Sequence, residues 1–386
     1  MSSTIAMGRE TVVYWVPETT SGTLAEPVAG DLVLPINTPT ATQDRETFDD
    51  AQIRNTRSRL TSIAGRYLAG TWNFDTYIKP SGTKGTAPQE DRLWTGLMGT
   101  KTTLDGTSVT YNLAGVTTDL SSYSMWMKYG HTVMMCTGAT VNQAVVRVEG
   151  RNPGQISWSG GFMKRLWTGT STLLSAIADA TTTTVVSIRD ATSLYNIGSI
   201  IKVDNEAMKV TAVDGTTATV TRKYQGTSAA AHSNGATVDP WWPTSGTEVG
   251  SPVHGRLGYV QLDSSNYNTL TNEVTITNGI KYYEEEKNGE DFASAYGTPE
   301  ARAADARVTV YFRKEDTKRL KDAWSFRTIA LTIPCGDTAG TIFELILGQA
   351  KITSPAITGD AERIQELAIQ PFASGAYNDE VIARYR

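Results

Sequence analysis

Three histidines and two cysteines are the residues best able to bind a metal ion or to attack a substrate. The histidines are His131, His232 and His254, and none has a cysteine, histidine or carboxylate at a spacing typical of metal ligands. We therefore predict no metal site and expect the histidines in exposed loops or at strand ends. Cys136 and Cys335 are too few for a disulfide framework, so we predict two small buried residues and a reducing compartment.

The motifs that support phosphate chemistry or hydrolysis are not found in this sequence. It has neither a glycine-rich loop followed by Lys-Ser/Thr nor a dinucleotide fingerprint, and Ser157-Trp-Ser-Gly-Gly lacks the first glycine of a nucleophile elbow. Val203-Asp-Asn-Glu begins like a calcium loop, but its run of oxygen-bearing side chains is too short, so a tight hairpin turn explains it. We predict a protein that is not an enzyme and has no catalytic residues and no cofactor.

Composition narrows the class further. The 386 residues include 35 Lys plus Arg against 40 Asp plus Glu, a net charge of −5, which argues against tight binding to nucleic-acid phosphates. Hydrophobic residues make up 39% and charged residues 19%, a composition typical of many strands joined by turns. The sequence shows no long apolar run and no basic start followed by an apolar segment, so we expect a soluble chain that is not exported by a leader.

Two segments alternate apolar and polar residues, and each leads to a short helix. Residues 71–79 and 307–313 predict half-buried strands. The first is followed by QEDRLWTGLMG, a helix with acidic residues in its first turn and Gly99 as its stop. In the second helix, Glu315 and Asp316 open the first turn, and the predicted apolar face consists of Leu320, Ala323 and Trp324.

The order of elements after each helix also repeats, which predicts an internal duplication. Strands are expected at 122–129, 132–138 and 155–162, and again at 326–333, 341–348 and 365–372. At an offset of 210 three identities line up: Gly138 with Gly348, Gln155 with Gln365, and Phe162 with Phe372. We predict a mainly β fold with two tandem β-sandwich or barrel domains, at 1–170 and 251–386, each with a short flanking α-helix.

The segment at 171–250 has a different character and is predicted to be an inserted small β-hairpin domain. Asp214-Gly215 is the expected two-residue turn of a hairpin, and Asp204-Asn205 closes a further strand. Residues 171–246 carry five basic and six acidic side chains, so the insert is not a basic nucleic-acid module.

Two charged runs precede the paired strands of the two copies. The basic run contains Arg54, Arg57, Arg59 and Arg66, whereas the acidic run contains Glu284, Glu285, Glu286, Glu290 and Asp291 around Lys287. One interpretation is two solvated loops. The other is that the basic run of one molecule contacts the acidic run of another.

Three stretches together resemble the tail tube (major tail) protein of long, non-contractile-tailed bacteriophages. They are IRNTRSRLTSIAGRYLAGTWNFDTYIKPSGTKGTAPQEDRLWTGLMG, SYSMWMKYGHTVMMCTGATVNQAVVRVEG and QISWSGGFMK. The resemblance covers residues 8–168 and, more loosely, 272–386; the insert between them resembles small β modules of other virion proteins. It implies sheets that join edge to edge into rings, which stack into a hollow tube for ejection of the genome DNA.

The same resemblance implies partners and a location. This chain would be assembled in the bacterial host cytoplasm and found in the virion tail. Its protein partners would be the tape measure, tail terminator and distal tail proteins. Double-stranded DNA would pass through the tube without specific binding. Two tube domains per chain favour a ring of three chains with pseudo-sixfold symmetry, and a hexamer is the alternative. The basic and acidic runs would then be inter-ring contacts, and the insert would lie on the outer surface.

A carbohydrate-binding or adhesive β protein is a second hypothesis from another class. It is motivated by nine tryptophans, 16 tyrosines and the adjacent Trp241 and Trp242. Most of these aromatic residues fall on predicted apolar faces, as core residues would. A glycan hydrolase is a third possibility, although the sequence alone does not place a pair of carboxylates on facing strands.

Overall fold

A computed structural model describes residues 11–50, 61–115, 120–179, 184–243, 246, 248–284, 289–375 and 378–386. Strands account for 52% of the structure and helices for 8%, and the large sheets are antiparallel. The predicted mainly β class is confirmed. Within the described residues, no helix combines the length and the apolar character needed to cross a membrane.

The elements up to residue 168 follow the predicted order of strands around one short helix. They are β1 (Val12–Pro17), β2 (Leu32–Val33), β3 (Thr40–Thr42), β4 (Arg45–Asp49), β5 (Ser62–Tyr67), β6 (Gly70–Tyr77), α1 (Asp91–Met98), β7 (Gly99–Leu104), β8 (Ser108–Leu113), β9 (Tyr123–Tyr129), β10 (Thr132–Glu149), β11 (Gln155–Phe162) and β12 (Lys164–Thr168).

The elements of the predicted insert come next, and a second long series follows. The insert contains β13 (Ser171–Thr172), β14 (Val185–Ser187), α2 (Ala191–Leu194), β15 (Ile200–Val203), β16 (Glu206–Asp214), β17 (Thr217–Tyr224) and β18 (Thr237–Pro240). The second series is β19 (Val260–Leu262), β20 (Ser265–Tyr267), β21 (Thr271–Thr277), β22 (Lys281–Tyr283), β23 (Ala295–Gly297), β24 (Ala303–Tyr311), α3 (Thr317–Trp324), β25 (Ile329–Cys335), β26 (Phe343–Thr358), β27 (Ile364–Pro371) and β28 (Ile382–Tyr385). Short 3-10 turns lie at Ala29–Asp31, Gly255–Leu257 and Lys314–Asp316.

The chain forms two compact units. The first comprises residues 1–32, 123–138 and 164–247, and the second comprises residues 33–122, 139–163 and 248–386. In the first unit β1 pairs with β9, the start of β10 pairs with β12, and the insert forms a six-stranded sheet in the order β13-β18-β15-β16-β17-β14. The division of the sequence at residues 170 and 250 stays a prediction.

The insert sheet packs around a core of its own aliphatic residues, including Ile201, Met208 and Val238. Its first hairpin turn is where the sequence placed it, because Val203 pairs with Glu206 across Asp204 and Asn205. The second turn is shifted by one residue. Asp214 still pairs with Thr217, so the turn residues are Gly215 and Thr216, and Gly215 takes the positive φ of 57° that this turn requires.

The second unit is built on one antiparallel sheet of eight strands, which we call the tandem sheet. Its order is β3-β6-β11-β10-β21-β24-β27-β26. Side chains alternate between a buried face and an accessible face, as in β6, where Trp72 and Phe74 are buried and Thr71 and Asn73 are exposed. Residues 133–141 of β10 are an exception, since all of them are buried. The alternation predicted from the sequence is confirmed for β6.

Helix α1 forms as predicted, and its apolar side packs into the second unit. Gly99 ends it in a left-handed conformation at φ 84°. Leu93, Trp94, Leu97 and Met98 are fully buried. The Trp94 indole nitrogen donates a hydrogen bond of 2.8 Å to the Tyr385 hydroxyl, and this bond removes the cost of burying a polar group.

The predicted apolar face of the second helix is wrong at Trp324, whereas Leu320 and Ala323 are half-buried. In α3 the buried residues are Arg319 and Asp322, which form an ion pair at 3.0 Å, whereas Trp324 is 90% exposed. After α1 the chain makes the β7–β8 hairpin, which packs against that helix. After α3 it turns at Phe326 and enters β25 directly, so no hairpin of that kind covers Trp324.

Candidate assembly surface

Two sets of three strands within the tandem sheet are equivalent in order and in register. β6, β11 and β10 pair in the same order as β24, β27 and β26. Gln155 lies opposite Tyr77 in the first set, and Ile364 lies opposite Tyr311 in the second, each at the start of its strand and the end of the partner. The repeated order that the sequence predicted is present in the sheet.

A β-bulge repeats at the same place in both sets. The register shifts between Val141 and Gln143 of β10, opposite Gly160 and Ser159, and again between Ile352 and Ser354 of β26, opposite Ile369 and Ala368. A bulge adds one unpaired residue and bends its strand, and bulges persist within families as structural features. Matching bulges in matching registers are therefore strong support for duplication.

The three identities that suggested the offset of 210 are not equivalent in the structure. When the two strand sets are compared in register, Gln155 is equivalent to Ile364 and Phe162 to Pro371. Each equivalence differs by one residue from the sequence alignment. Because side chains alternate between faces, this slip exchanges their environments. Gln155 is half-buried but Gln365 is fully buried, and Phe162 is fully buried but Phe372 is 40% exposed. The offset was wrong, although the repeated order was right.

Strand β21 joins the two sets, and we call its pairing with β10 the internal junction. Residues 143–149 of β10 pair antiparallel with residues 271–277 of β21. Val146 lies opposite Val274, and both are buried. On the accessible face, Arg147 forms an ion pair of 2.7 Å with Glu273, and the Gln143 amide donates to the Thr277 hydroxyl at 3.1 Å.

The bulge residue Asn142 fixes the end of the internal junction. Its carbonyl oxygen accepts the Asn278 amide hydrogen bond, and its side-chain oxygen accepts that of Ile280, each at 2.8 Å. The Asn278 side chain in turn donates to the carbonyl oxygens of Leu97 and Val141 at 2.8 and 3.2 Å. Asparagine suits both positions because its side-chain amide carries a donor, used by Asn278, and an acceptor, used by Asn142.

Strand β3 holds the place in the first set that β21 holds in the second. β3 pairs with the outer side of β6, with Thr42 opposite Thr71, and β21 pairs with β24, with Thr275 opposite Asp305. When β6 is superposed in register on β24, Thr71 corresponds to Asp305, so Thr42 corresponds to Thr275.

The far end of the tandem sheet is an open edge, which we define as Ser354–Thr358 of β26. The first part of β26 has β25 on one side and β28 on the other. Its second part pairs with β27, and among the described residues no strand pairs with its other side. Four of its five residues are exposed and Pro355 is half-buried. Unpaired edges of this kind are templates for another strand.

The accessible face of the tandem sheet, which we call the polar face, is weakly acidic. Its arginines are paired across strands, Arg147 with Glu273 at 2.7 Å and Arg307 with Glu366 at 3.0 Å. The charged residues that alternate onto this face number five acidic and three basic: Asp75, Arg147, Glu149, Glu273, Asp305, Arg307, Lys351 and Glu366. The face is otherwise rich in Thr, Ser, Asn and Gln.

The described members of the charged runs are Arg66 in β5 and Glu284, Glu290 and Asp291 between β22 and β23. The hairpins β4–β5 and β22–β23 each precede a long strand of the tandem sheet. Arg66 donates a hydrogen bond of 2.5 Å to the Glu284 carbonyl oxygen of the same chain. The Tyr67 ring stacks on Phe292 at 4.8 Å, and the Tyr67 amide donates to the Asp291 carbonyl oxygen at 2.8 Å. The roots of the two hairpins therefore contact each other within one molecule.

The remaining predicted contact residues are only partly described. Arg54, Arg57, Arg59, Glu285 and Glu286 lie outside the described residues. Glu290 and Asp291 are exposed, and the Glu284 carboxylate accepts the Ala69 amide hydrogen bond at 2.5 Å. Contact between the basic run of one molecule and the acidic run of another stays a prediction. Arg66 and Glu284 already have partners within their own chain.

One buried charge cluster, in the first unit, was missed by sequence reasoning. Glu206 accepts two hydrogen bonds from Arg222, at 2.9 and 2.6 Å, and contacts His232 at 3.0 Å. Burial raises the pKa of Glu206, but hydrogen bonds from Arg222, from His232 and from main-chain amides outweigh it and hold that pKa at about 2. His232 also contacts Asp204 at 2.7 Å, and it is buried, contrary to the predicted exposed loop.

The remaining single-residue predictions have mixed outcomes. Cys136 and Cys335 are buried free thiols, as predicted, and burial raises the pKa of both. His131 is exposed and His254 is half-buried. The Trp242 ring packs edge-on against Tyr14 at a centroid distance of 5.2 Å, so one side of that proposed sugar platform is used within the first unit.

No family model matches the chain, and no curated protein matches it. The class defined by the fold is a mainly β protein with a repeated, bulged strand set and, among the described residues, an unpaired strand edge at Ser354–Thr358.

Proposed function

We propose that this chain is a structural subunit of a ring, and that stacked rings form the tail tube through which phage DNA is ejected. The observation that carries the proposal is the open edge of β26. One chain contains a complete side-by-side junction between two equivalent strand sets, and it ends in an edge equivalent to the one that β21 covers. Repeating the same junction between chains satisfies that edge and closes a ring.

Three chains would supply six equivalent strand sets, which supports a trimer with pseudo-sixfold symmetry over a hexamer. In such a ring the polar face of each tandem sheet would line the bore. Both of its arginines form ion pairs with carboxylates, and the face carries five acidic and three basic residues. A like-charged wall without free arginines binds phosphate weakly, so a DNA duplex would slide along it. The proposed location is the virion tail, with the tape measure, tail terminator and distal tail proteins as partners.

The experiment is to concentrate the purified chain, examine it by negative-stain microscopy, and measure the native mass of any ring. Rings or tubes with a central hole are expected, with three chains in each ring. Six chains per ring would retain the tube but replace the trimer with the hexamer. A monomer at every concentration would contradict the function itself.

A further inference from the structure

Two large aromatic side chains are exposed where helix α3 ends. Trp324, the last residue of the helix, is 90% exposed, and Phe326 is 67% exposed. Phe326 has a left-handed backbone with φ 50°, which is unfavourable for a bulky side chain, whereas α1 ends with glycine in that conformation, Gly99 at φ 84°. Exposed apolar clusters and strained backbone both concentrate at binding surfaces. We call Trp324 and Phe326 the aromatic pair.

A cavity of about 190 Å³ lies in the same unit, at the opposite end of strand β25. Ala339 and Ile342 line this cavity, and both belong to the connection from β25 to β26. The aromatic pair lies just before the first residue of β25. Because β25 has seven residues, the two features lie about 20 Å apart, one beyond each end of the strand. We call this cavity the end pocket.

The end pocket combines apolar side chains with cations. Lys84, Arg384 and Arg386 line it together with the two apolar residues named above. The Nε atoms of Arg384 and Arg386 each donate to Glu344 at 2.8 Å, so this carboxylate fixes both guanidinium groups. Cations attract the face of an aromatic ring, and tryptophan is the strongest partner. A cavity of about 150 Å³ holds benzene, so the end pocket has room for a larger aromatic group.

We propose that Trp324 of one chain inserts into the end pocket of a second copy of this chain in the next ring of the tube. The aromatic pair and the end pocket lie at opposite ends of one strand, so each chain can use both at once. A head-to-tail contact of this kind extends without limit unless a rotation closes it. The open edge of β26 serves the contact within a ring, so we assign this contact to stacking. The inference rests on the proposed function.

The charges around the two surfaces agree with this contact. Lys321 is exposed and lies one turn before Trp324 on α3. Asp105 and Asp337 are exposed, and each lies two residues from a residue that lines the end pocket. Lys321 would therefore approach carboxylates when the indole enters the pocket, which favours this orientation.

Photo-crosslinking tests the contact directly. The aromatic photoprobe p-benzoylphenylalanine replaces Trp324, and tubes of the concentrated chain are irradiated, digested and analysed by mass spectrometry. We expect links between chains that map to the end pocket, above all to Ala339 and Ile342. The matched control carries the probe at Ile197, which is 71% exposed in the insert, and should give no link to the end pocket.

Two substitutions give an independent measurement. Trp324→Ala removes the inserted side chain, and Ala339→Trp fills the end pocket that receives it. Both positions are exposed, so we expect unchanged folding and rings of unchanged mass. The protein concentration at which tubes form should rise at least about tenfold in each variant. Ile197→Ala should form tubes at the concentration of the parent.

The outcomes separate this inference from the proposed function. Tubes that form equally well from the parent and from both variants, or probe links that map elsewhere, would overturn the inference and leave the proposed function standing. The same follows if rings of the parent chain do not stack. A parent chain that forms no ring would overturn both.

Discussion

Val146 and Ile357 occupy equivalent positions, each four residues beyond the bulge residue of its strand, and only Val146 is buried. Val146 is 3% exposed in a strand paired with β21, whereas Ile357 is 41% exposed at the open edge. The same local structure thus occurs twice in one chain, once with its neighbour and once without. Under the proposed function, the open edge is the surface that a second molecule would complete.

A lysine at the open edge should block assembly without unfolding the chain. Ile357→Lys places a charge where an incoming strand would bury an apolar side chain, and charged edge residues prevent strand addition. We expect monomers by native mass spectrometry and an unfolding free energy within about 0.5 kcal/mol of the parent. Thr221→Lys, on an exposed strand position of the insert, should assemble normally. Rings formed by Ile357→Lys would contradict this prediction.

Reversal of the basic run should separate ring formation from stacking. Changing Arg54, Arg57 and Arg59 to Glu removes the charge attraction expected between molecules but leaves the tandem sheet unchanged. We expect rings of unchanged mass that do not form tubes by electron microscopy. The control reverses three exposed basic residues of the insert, Arg189, Lys202 and Lys223, and should form tubes. Normal-length tubes from the first variant would eliminate the inter-ring contact.

Replacing Gln365 with an aliphatic residue should stabilise the protein. Its side chain is fully buried, and neither its amide nitrogen nor its oxygen has a hydrogen-bond partner in the structure as described. Gln365 is equivalent to Ile156, the buried second residue of β11. Gln365→Ile gives this position the apolar side chain that its equivalent has, and should raise the unfolding free energy by about 1–2 kcal/mol. Urea denaturation measures the gain. Gln370→Ile, on the accessible face of β27, should have little effect, and a loss of stability in Gln365→Ile would refute the argument.

Glu90 should make the second unit less stable at alkaline pH. Burial raises its pKa to about 8 from an ordinary 4.5, against the weaker opposing effects of main-chain hydrogen bonds and Lys79. The folded state then holds a proton that the unfolded state releases, so stability falls as pH rises from about 4.5 to 8. Glu90→Gln should match the parent near pH 4 and exceed it by a few kcal/mol at pH 9. Equal pH profiles of the unfolding free energy would refute this assignment.

Glu206 should have the opposite pH dependence in the first unit. Its pKa is lowered to about 2, so the stability it contributes is present above about pH 4.5 and is lost as the pH falls towards 2. The Arg222 side chain is 5% exposed, and at pH 7 Glu206→Gln leaves its guanidinium without its full counter-charge. The substitution should therefore lower the unfolding free energy by about 3 kcal/mol. The cost should shrink at pH 2–3. The exposed Glu362→Gln is the control, and a loss that did not depend on pH would indicate a packing defect.

The sequence by itself determined the mainly β class, the strand alternation, helix α1 with its glycine stop, and the repeated order of elements. These features depend on neighbours within a few residues, such as the alternation of Trp72 and Phe74 with polar residues, and local spacing records them. Trp324 shows the limit. Its helical spacing predicts an apolar face, but burial depends on whether another element follows to cover it.

Only the tertiary structure decided the registers. The sequence alignment placed Gln155 with Gln365, and strand pairing moved the correspondence by one residue and so exchanged the faces. The internal junction joins residues more than 120 positions apart, and the contact between Arg66 and Glu284 spans 218. Hydrogen bonds between distant strands leave no local pattern in the sequence, because the same alternation fits either register until the partner strand is in place.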